Sequence, residues 1–451
     1  MEGRFSERRR PGQGHYTAMS PPGNASPGSQ EERHLLADGI GLSPRPSLPM
    51  APKAPRALRH LPLAPSARAI DRGTRPIHAI WEITLRCDLA CRHCGSRAGR
   101  ERPDELSTVE ALDLVRQLAA LGVLEVSLIG GEAYLRDDWL EIIAAVRAAG
   151  MQCTMVTGGR GLTLDRARAA AAAGLQSVSV SIDGGPESHD RLRGVVGSHR
   201  SALEAARNLT DAQVPVAVNT QINRLSMPDL PEVLETVIAL GAHAWQVMLT
   251  VAMGRAADEP DILIQPYELL TLFPLLATLK SRSDAAGVRL LPGNNIGYFG
   301  PLEAVLRGTF PRGHKGSCGA GCSTLGIEAN GAIKGCPSLQ SVPWTGGNIR
   351  DAALVDIWER SAPLRVMRDR TVDDLRGFCR DCYYADECRA GCTWTGFSLF
   401  GKAGENPLCH HRALEMQARG LRERLVRVAP APGVPFDHGC FDIVVEEVPR
   451  E

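Results

Sequence analysis

The sequence has few aromatic residues and no excess of charge of either sign. Phe, Trp and Tyr make up 5% of the 451 residues, and 51 Lys and Arg residues balance 51 Asp and Glu residues. Because nucleic-acid-binding chains present a basic surface, this balance gives no support for a nucleic-acid partner. A secretory signal peptide and an apolar run long enough to span a membrane are also lacking, so we expect a cytoplasmic protein without a membrane partner.

Cysteine, in contrast, is abundant, with thirteen residues. Disulfides rarely persist in a reducing compartment, so clustered cysteines there indicate metal or iron–sulfur ligands. All but two of the cysteines fall into two groups, at 87–94 and 318–409. Cys153, on a predicted buried strand, and Cys440, near the C-terminus, are predicted to be ordinary thiols.

The first group is a Cys-x3-Cys-x2-Cys triplet in the segment WEITLRCDLACRHCGSRAG, formed by Cys87, Cys91 and Cys94. Three thiolates from one loop can hold three irons of a [4Fe–4S] cube and leave the fourth iron open for a small molecule. The alternative is a zinc knuckle or a disulfide pair. Zinc would need a fourth ligand nearby, and the next segment offers none in matching register.

Residues 73–300 alternate short apolar strands with amphipathic helices. Six strands are predicted, in the segments IHAIWEIT, EVSLIG, MQCTMVT, SVSVSI, VPVAVNTQI and AWQVML. Ser107 or Thr108 is available to cap the helix after the first strand. Six strand–helix units predict an α/β fold with a parallel sheet, and they fall short of a closed eight-fold barrel. We therefore predict a partial (β/α)6 TIM-like barrel.

The flanking regions differ in composition. Residues 1–72 hold eleven of the 31 prolines together with many Arg and Ser residues, which predicts a disordered N-terminal extension. This extension is either a basic tether for an acidic partner or merely solvated. After the turn NNIGYFGP, residues 301–427 are rich in Gly and Cys, as expected where clusters replace a hydrophobic core. Residues 428–451 are predicted to be a Pro-rich acidic tail of unknown role.

The second cysteine group reads Cys-x3-Cys-x13-Cys followed by Cys-x2-Cys-x5-Cys-x3-Cys-x16-Cys. Eight thiolates are the number that two fully ligated cubes require. A pair of zinc ribbons is the alternative, because the Cys-x2-Cys pieces alone would permit it.

The cysteine triplet after a first strand, the Gly130-Gly131-Glu132 turn after the second and the eight-cysteine string resemble radical S-adenosylmethionine (SAM) enzymes with a C-terminal SPASM domain, of the peptide-maturase type. The resemblance covers residues 77–412. It implies three [4Fe–4S] clusters and bound SAM. The triplet would hold the SAM-binding cluster, and the resemblance divides the other thiolates into a first auxiliary set, Cys318, Cys322, Cys336 and Cys392, and a second auxiliary set, Cys379, Cys382, Cys388 and Cys409.

The resemblance also implies SAM contacts. Gly130, Gly131 and Glu132 match the motif that binds the methionine amine. Ser181 and Arg193 resemble the pair that contacts SAM in anaerobic sulfatase-maturing enzymes, and a guanidinium suits a carboxylate. Arg193 could instead pair with Asp190 or Asp183. His93 stands where the family places an aromatic residue against adenine, although a His packed on backbone is the alternative, and Val251 would offer backbone to the adenine.

The implied activity is that of an oxidoreductase-type maturase, which cleaves SAM to a 5′-deoxyadenosyl radical and abstracts hydrogen from a ribosomally synthesised precursor peptide. The product would be a crosslink, a thioether, an epimer or an excised backbone. The expected partners are the peptide, a separate peptide-recognition protein and a flavodoxin or ferredoxin-type reductant. The alternatives are oxidation of a small molecule or tetrapyrrole, and a non-catalytic iron–sulfur or zinc scaffold. No catalytic acid or base is assigned.

Two departures limit the transfer of named activities. Sulfatase-maturing members place an acidic base directly after the third auxiliary cysteine, where this chain has Pro337. The enzyme that makes the pyrroloquinoline quinone precursor replaces one second-cluster cysteine by Asp, where this chain has Cys388. We expect the peptide near the NNIGYFGP turn, with Tyr298 and Phe299 as contacts, unless these two residues merely pack the seam between the domains.

Overall fold

The computed structural model of the chain describes residues 62–297, 300–308 and 318–448. Within them, seven parallel strands come first along the chain: β1 His78–Glu82, β2 Glu125–Ile129, β3 Gln152–Thr157, β4 Ser177–Ser181, β5 Val216–Ile222, β6 Ala244–Leu249 and β7 Arg289–Pro292. The short β7 was not predicted, because its exposed Arg289 and terminal Pro292 interrupt the apolar pattern.

Helices cover the outer face of this sheet: α2 Thr108–Leu121, α3 Trp139–Ala148, α4 Leu164–Ala172, α5 Pro186–Arg193, α6 Ser198–Asp211, α7 Leu230–Ala239, α8 Arg255–Asp258 and α9 Leu269–Ala285. The start of α2 shows how the sequence sets a boundary. The Ser107 side chain accepts a hydrogen bond from the Glu110 N–H, and the Glu110 carboxylate accepts from the Ser107 N–H at 2.9 Å. This capping box confirms Ser107 as the cap.

The barrel is partial, as predicted, because β1 does not pair with β7. The free edge of β1 instead pairs in parallel with β8 (Thr324–Ile327), from His78 opposite Thr324 to Trp81 opposite Ile327. Two further strands, β9 (Ala332–Lys334) and β10 (Thr345–Asn348), follow β8 outward, so that the sheet order is β10-β9-β8-β1-β2-β3-β4-β5-β6-β7. The C-terminal domain therefore extends the barrel sheet through continuous backbone hydrogen bonds.

The rest of the C-terminal domain consists of short elements: α10 Glu303–Arg307, β8 Thr324–Ile327, β9 Ala332–Lys334, α11 Ser341–Trp344, β10 Thr345–Asn348, α12 Leu354–Arg360, α13 Ala362–Asp369, α14 Gly377–Arg380, α15 Ala385–Cys388, α16 Thr393–Phe400, α17 His410–Ala418, β11 Leu421–Ala429 and β12 Cys440–Glu447. Two small apolar clusters lie in this domain, one around Trp344 and Phe397 and the other around Leu375. Cysteines pack against both clusters, as expected where cofactors replace core.

The prediction that residues 1–72 are disordered is wrong for residues 62–72. Residues 1–61 lie outside the part of the chain that the structure describes. Residues Ala69–Gly73 form helix α1. Asp71 is fully buried and forms ion pairs with Arg68 at 2.8 Å, Arg365 at 2.8 Å and Arg368 at 3.1 Å. These ion pairs join the segment to α13. The helix was not predicted from the sequence, because apolar periodicity does not reveal charged contacts of this kind.

The predicted C-terminal tail is also wrong. Residues 428–448 belong largely to an antiparallel hairpin of β11 and β12. Leu425 and Phe441 enter the main core, and Arg412 forms a buried bidentate pair with Glu423 at 2.7 and 2.8 Å. The hairpin was missed because charged residues alternate with Val along its exposed face.

The segment Pro260–Ala285, which ends in α9, corrects the expectation that no apolar run is long enough to span a membrane. It has 26 residues, and 56% of its most apolar window is buried inside the protein. Leu272, Phe273 and Leu276 belong to the main core, so this segment packs as a core helix.

Candidate functional site

Two cavities adjoin at the carboxyl ends of the barrel strands, which is where ligands bind in parallel α/β folds. The reaction cavity has a volume of about 280 Å³ and lies between the barrel and the C-terminal domain. The cluster cavity, of about 170 Å³, lies among the cysteine triplet. The residues that line both are His93, Cys94, Ile129, Gly130, Val156, Ser181 and Arg193.

The three thiols of the triplet converge on the cluster cavity, and each receives a polar hydrogen. The Leu89 N–H points at the Cys87 sulfur and the Ala98 N–H at the Cys94 sulfur, both at 3.4 Å, and Arg193 Nη1 lies 3.7 Å from the Cys91 sulfur. Such donors stabilise thiolate ligands of iron–sulfur clusters. The donor set therefore fits a cluster held by three thiolates.

Burial disfavours the charged forms of these thiols. It raises the pKa of Cys87 to about 12 and that of Cys91 to about 11, with the neighbouring Glu132 carboxylate adding to the effect at Cys87. Buried thiols of this kind become ligands only when a cation compensates their charge, as iron does.

Gly130 and Gly131 press the end of β2 against the cluster loop. A Cβ on Gly130 would lie 2.5 Å from the Thr84 carbonyl oxygen, and one on Gly131 would overlap the Arg86 carbonyl. The same two carbonyls accept hydrogen bonds of 2.8 Å from the Gly131 and Glu132 N–H groups. Only glycine permits this approach, which fixes Glu132 beside the cluster cavity.

Glu132 is a buried carboxylate with one unused oxygen. Its Oε2 accepts from the Gly158 N–H at 2.8 Å, whereas Oε1 has no hydrogen bond within the described chain. Burial raises the pKa of Glu132 to about 8. A buried carboxyl in this position can gain a cationic partner, and the ammonium group of an amino acid fits that requirement.

Arg193 forms an ion pair with Asp183, one of the two alternative partners named from the sequence. Its Nη2 lies 2.7 Å from Asp183 Oδ2, and both side chains are buried. The Asp190 carboxylate instead accepts from Ser198 and from the His199 N–H. Arg193 still lines both cavities beside Ser181, and its Nε has no hydrogen bond in the described residues. Asp183 therefore holds a guanidinium that faces the cavities.

His93 and Val251 both line the reaction cavity. The His93 side chain is buried with Nε2 3.4 Å from Asp183 Oδ2, and burial lowers the pKa of His93 to about 4, so the ring is neutral. The Val251 carbonyl accepts from the Met253 N–H at 2.7 Å. Both residues line the cavity, as a contact with adenine would require.

Sequence reasoning missed several residues of the reaction cavity. Asn219 lies directly opposite Ser181 on the neighbouring strand, is 8% exposed, and has no hydrogen bond to its Oδ1 in the described chain. The alternation of Asn and Gln in VAVNTQI was the available signal. The other missed residues come from distant segments: Glu82, Gln221, Met248, Met253, Ser338, Trp394 and Phe436.

The structure brings the eight later cysteines together as two sets. Cys392 interacts electrostatically with Cys318 and Cys336, and Cys322 with Cys318. In the other set Cys388 interacts with Cys379, Cys382 and Cys409. Backbone N–H groups of Tyr384 and Asn406 point at the sulfurs of Cys382 and Cys379 at 3.4 and 3.5 Å. These groups coincide with the two auxiliary sets.

Within residues 62–297, 300–308 and 318–448, no three Cys, His, Asp or Glu side chains stand close enough to share one metal ion. A zinc knuckle or ribbon needs four such ligands around a single ion.

The turn at 294–301 does not line the reaction cavity in the part that the structure describes; Tyr298 and Phe299 lie outside that part. Asn295 is buried and bonds both backbone groups of Leu249, at 3.2 and 2.7 Å. A Cβ on Gly297 would lie 2.5 Å from the Cys409 Cα. The described part of this turn therefore packs the seam between the domains.

Family models match two segments of the chain. The model described as the radical SAM superfamily matches residues 81–239, and the SPASM model, described as an iron–sulfur cluster-binding domain, matches residues 318–383. These segments contain the cysteine triplet and five of the eight later cysteines.

Among curated proteins, the AdoMet-dependent heme synthase of Nitratidesulfovibrio vulgaris is 30% identical over 79% of this chain and 98% of its own. The PqqA peptide cyclase of Rhizobium meliloti is 29% identical over 77% of this chain and 90% of its own. The mycofactocin maturase MftC of Mycobacterium tuberculosis is 29% identical over 75% of this chain and 85% of its own.

Among solved structures, Streptococcus suis SuiB bound to its precursor peptide SuiA aligns with a TM-score of 0.58. The alignment covers 75% of this chain and 76% of SuiB at 17% sequence identity. At this identity the likeness establishes the fold alone.

Proposed function

The chain belongs to the radical SAM enzymes with a C-terminal SPASM domain, and we propose that it modifies a ribosomally synthesised precursor peptide. As a member of this family it is an enzyme that binds SAM and iron–sulfur clusters. We assign the radical chemistry to residues 73–300 and the auxiliary clusters to residues 301–427. Bound SAM and its reduced cluster supply the 5′-deoxyadenosyl radical that abstracts hydrogen from the substrate.

The chain's own residues would bind and orient SAM. Cys87, Cys91 and Cys94 hold the cluster, and the unused oxygen of Glu132 accepts the methionine ammonium. Arg193, held in place by Asp183, binds the SAM carboxylate together with Ser181.

His93 and the Val251 backbone flank the adenine, as their positions in the reaction cavity permit. Asn219 adds a polar contact from the strand next to Ser181. We do not assign any of these residues a proton-transfer role, because hydrogen abstraction by a radical requires placement and exclusion of water.

Eight further thiolates would hold two auxiliary clusters, so that the enzyme carries three [4Fe–4S] clusters in all. A flavodoxin or ferredoxin-type protein would supply the electron. The auxiliary clusters would either accept an electron from the substrate radical or shape the substrate site.

One observation carries the proposal of a peptide substrate. Pro337, Ser338 and Trp394 of the C-terminal domain lie across the same cavity as Cys94 and Ser181, so a substrate over the SAM site must also contact that domain. Relatives that share both domains include proteins named for action on peptides, the PqqA peptide cyclase and the mycofactocin maturase. Capture of a leader segment by a separate recognition protein fits this role.

Pro337 limits the type of peptide chemistry. It lines the cavity directly after Cys336, where sulfatase-maturing members place an acidic base, and it has no group that accepts a proton. We therefore propose crosslinking, thioether formation, epimerisation or excision as the outcome, rather than formylglycine formation.

The second candidate function is oxidation of a tetrapyrrole. It is favoured by the heme synthase of Nitratidesulfovibrio vulgaris, of which this chain covers 98%. The two candidates differ in whether the product is a peptide.

Co-expression with a short peptide encoded beside the gene, followed by mass spectrometry of the peptide, tests the proposal. We expect a mass change with the parent enzyme and none with a variant in which Cys87, Cys91 and Cys94 are all Ala. A parallel incubation replaces the peptide with an iron-bound tetrapyrrole carboxylate. Conversion of the tetrapyrrole with the peptide unchanged would overturn the proposal in favour of the second candidate.

A further inference from the structure

The loop between β11 and β12, residues 430–439, forms one wall of the reaction cavity. Pro432, Gly433 and Val434 are exposed, whereas Phe436 and Asp437 are each 7% exposed. Phe436 lines the cavity together with Ser181 and Trp394. The C-terminal hairpin thus reaches into the site where SAM is proposed to bind.

The Phe436 backbone adopts a conformation that an aromatic residue rarely takes. Its φ is +58°, in the left-handed region. Its ring centroid lies 3.8 Å from the Lys334 ammonium and 5.7 Å from the Arg102 guanidinium, so two cations face the ring. Strained residues persist where the surroundings hold them, and they concentrate at functional sites.

Asp437 fixes the loop in this position. Its Oδ2 accepts from the N–H groups of Gly433 and Val434 at 2.5 and 3.0 Å, which shapes the turn. Its Oδ1 accepts from Arg97 Nε at 2.8 Å, and its backbone carbonyl accepts from the Gly254 N–H at 2.9 Å. One residue therefore both folds the loop and attaches it to the barrel.

Arg97 belongs to the loop that carries the cysteine triplet. Its backbone N–H donates to the Cys94 carbonyl at 3.4 Å, and its side chain also donates to the Gly254 carbonyl at 3.0 Å. The Arg97 and Asp437 side chains are 14% and 3% exposed. Because the pair is shielded from water, it links the cluster loop to the C-terminal loop more strongly than a surface ion pair would.

The reaction cavity is small, and its walls are held to different degrees. A volume of about 280 Å³ is at the lower end for a drug-sized ligand, for which cavities run from about 300 to 1,000 Å³. The barrel strands and the β8–β9 pair are held by sheet hydrogen bonds. Residues 430–439 lie outside the strands and are held to the barrel by the contacts of Asp437 and by an isolated backbone bridge between His438 and Met253, and Gly433 has a φ of +90°.

We propose that residues 430–439 are a lid on the reaction cavity, with Phe436 as the residue that closes over the substrate and Asp437–Arg97 as the latch. The proposal rests on the radical chemistry of the proposed function, and it holds for either candidate substrate. Phe436 packs with Trp394 and Met253 against the reacting part of the substrate, which must be apolar to match these walls. The closed lid excludes competing hydrogen donors from the radical.

The experiment uses 2-propanol deuterated at C2 as a competing hydrogen donor, with the cluster-loaded full chain, SAM and dithionite but no substrate. If the donor enters, its C–D bond breaks homolytically and deuterium appears in the methyl group of 5′-deoxyadenosine. The 2-hydroxy-2-propyl radical that remains disproportionates with a second such radical to acetone and 2-propanol. We expect Phe436→Ala and Asp437→Asn to show at least fivefold more deuterium per 5′-deoxyadenosine than the parent.

The matched control is Val434→Ala in the exposed part of the same loop, which should label as the parent does. Phe436→Trp should return labelling to the parent level, a rescue that a purely structural role for Phe436 does not predict. Equal labelling in the parent, Phe436→Ala and Asp437→Asn overturns the lid. Absence of 5′-deoxyadenosine from every protein, including the parent, contradicts the proposed function instead.

Backbone hydrogen exchange provides a readout that needs no turnover. We expect residues 430–439 to exchange at least tenfold faster in Asp437→Asn than in the parent, with β11 and β12 unchanged. If Phe436→Ala does not retain its iron, the lid is tested instead by the deuterium labelling of Asp437→Asn and by this exchange measurement. Unchanged exchange in the loop overturns the latch.

Discussion

Glu132 combines almost complete burial with an oxygen atom that nothing in the described chain satisfies. Leaving a carboxyl in this state is costly, and burial, together with the nearby Asp88 carboxylate, raises the pKa of Glu132 to about 8. The two preceding glycines allow the backbone to approach the cluster loop closely, and this approach places the carboxyl beside that loop. Such a residue has the features of a ligand contact rather than of a core residue.

Changing Glu132 to Gln should weaken SAM binding by about 10- to 100-fold, because a hydrogen bond to a charged group contributes about 1.5–3 kcal/mol. Equilibrium binding of SAM to the cluster-loaded protein measures this, and the iron content should not change. Glu141→Gln on the exposed face of α3 is the matched control and should bind as the parent does. Parental affinity in Glu132→Gln would remove Glu132 from the site.

The cysteine triplet has a separate test at the residue scale. Changing Cys87, Cys91 and Cys94 together to Ala should abolish 5′-deoxyadenosine formation, because only this set leaves an iron open to SAM. Iron should fall by about one third, from about twelve to about eight per chain, since each cube holds four. Cys440→Ala, outside all three sets, should retain both iron and activity. SAM cleavage at the parental rate in the triple variant would show that the catalytic cluster lies elsewhere.

At the scale of elements, charged contacts attach segments that have little apolar surface. Helix α1 has five residues and is joined to the C-terminal domain through Asp71 and its three arginine partners. The Trp358 indole N–H also donates to the Thr74 carbonyl at 2.9 Å. A short helix is not stable alone, so these tertiary contacts decide that it forms.

Changing Asp71 to Asn should destabilise the protein by about 3 kcal/mol, because it leaves buried arginines without their counter-charge. Thermal unfolding of the cluster-loaded protein, with proteolysis of residues 62–75, measures the effect. Asp113→Asn removes an exposed pair with Arg116 and should cost less than about 1 kcal/mol. Equal behaviour of the two variants would mean that Asp71 does not hold α1.

The same residue gives a pH dependence. Hydrogen bonds from Arg68 and Arg368 outweigh desolvation and hold the pKa of Asp71 well below its ordinary value. A lowered folded-state pKa stabilises the fold above the unfolded pKa of about 3.9, and that stability is lost as pH falls further. We expect the loss of stability below pH about 4 to be smaller in Asp71→Asn than in the parent, measured by the unfolding midpoint across that range.

At the scale of the whole molecule, the barrel and the C-terminal domain form one continuous sheet and together enclose one cavity. The two auxiliary sets are interleaved along the chain, because Cys392 of the first lies between Cys388 and Cys409 of the second. This crossing ties α15, α16 and α17 together in a domain that has only small apolar clusters. Clusters bound by the two sets would take over part of the role of a core here.

Counting irons in single and double variants tests the crossing. Cys392→Ala and Cys388→Ala should each lose up to about four irons of about twelve, and the double variant should lose about eight. If both cysteines serve one cluster, the double variant will lose no more than either single variant. About four irons in the reconstituted parent, or stoichiometric zinc, would contradict the three-cluster assignment.

The sequence by itself determined the features that depend on local spacing. The cysteine triplet, the Gly-Gly-Glu turn, the cap at Ser107 and the alternation of strands and helices each lie within a few residues of chain, where backbone geometry limits the possibilities. The family and the partial barrel followed from them. The predicted domain boundaries at residues 72 and 428 were wrong, because the composition of the segments beside them resembles that of a solvated chain.

Only the tertiary structure decided the contacts between distant segments. Pairing of β1 with β8 joins the two domains in one sheet. Asp183 forms an ion pair with Arg193, and Asp437 forms one with Arg97, which is 340 residues away in the chain. Residue type at such separations does not specify a partner, because many arginines and carboxylates are chemically equivalent. Packing of the barrel against the C-terminal hairpin selects among them, and it alone places Phe436 in the reaction cavity.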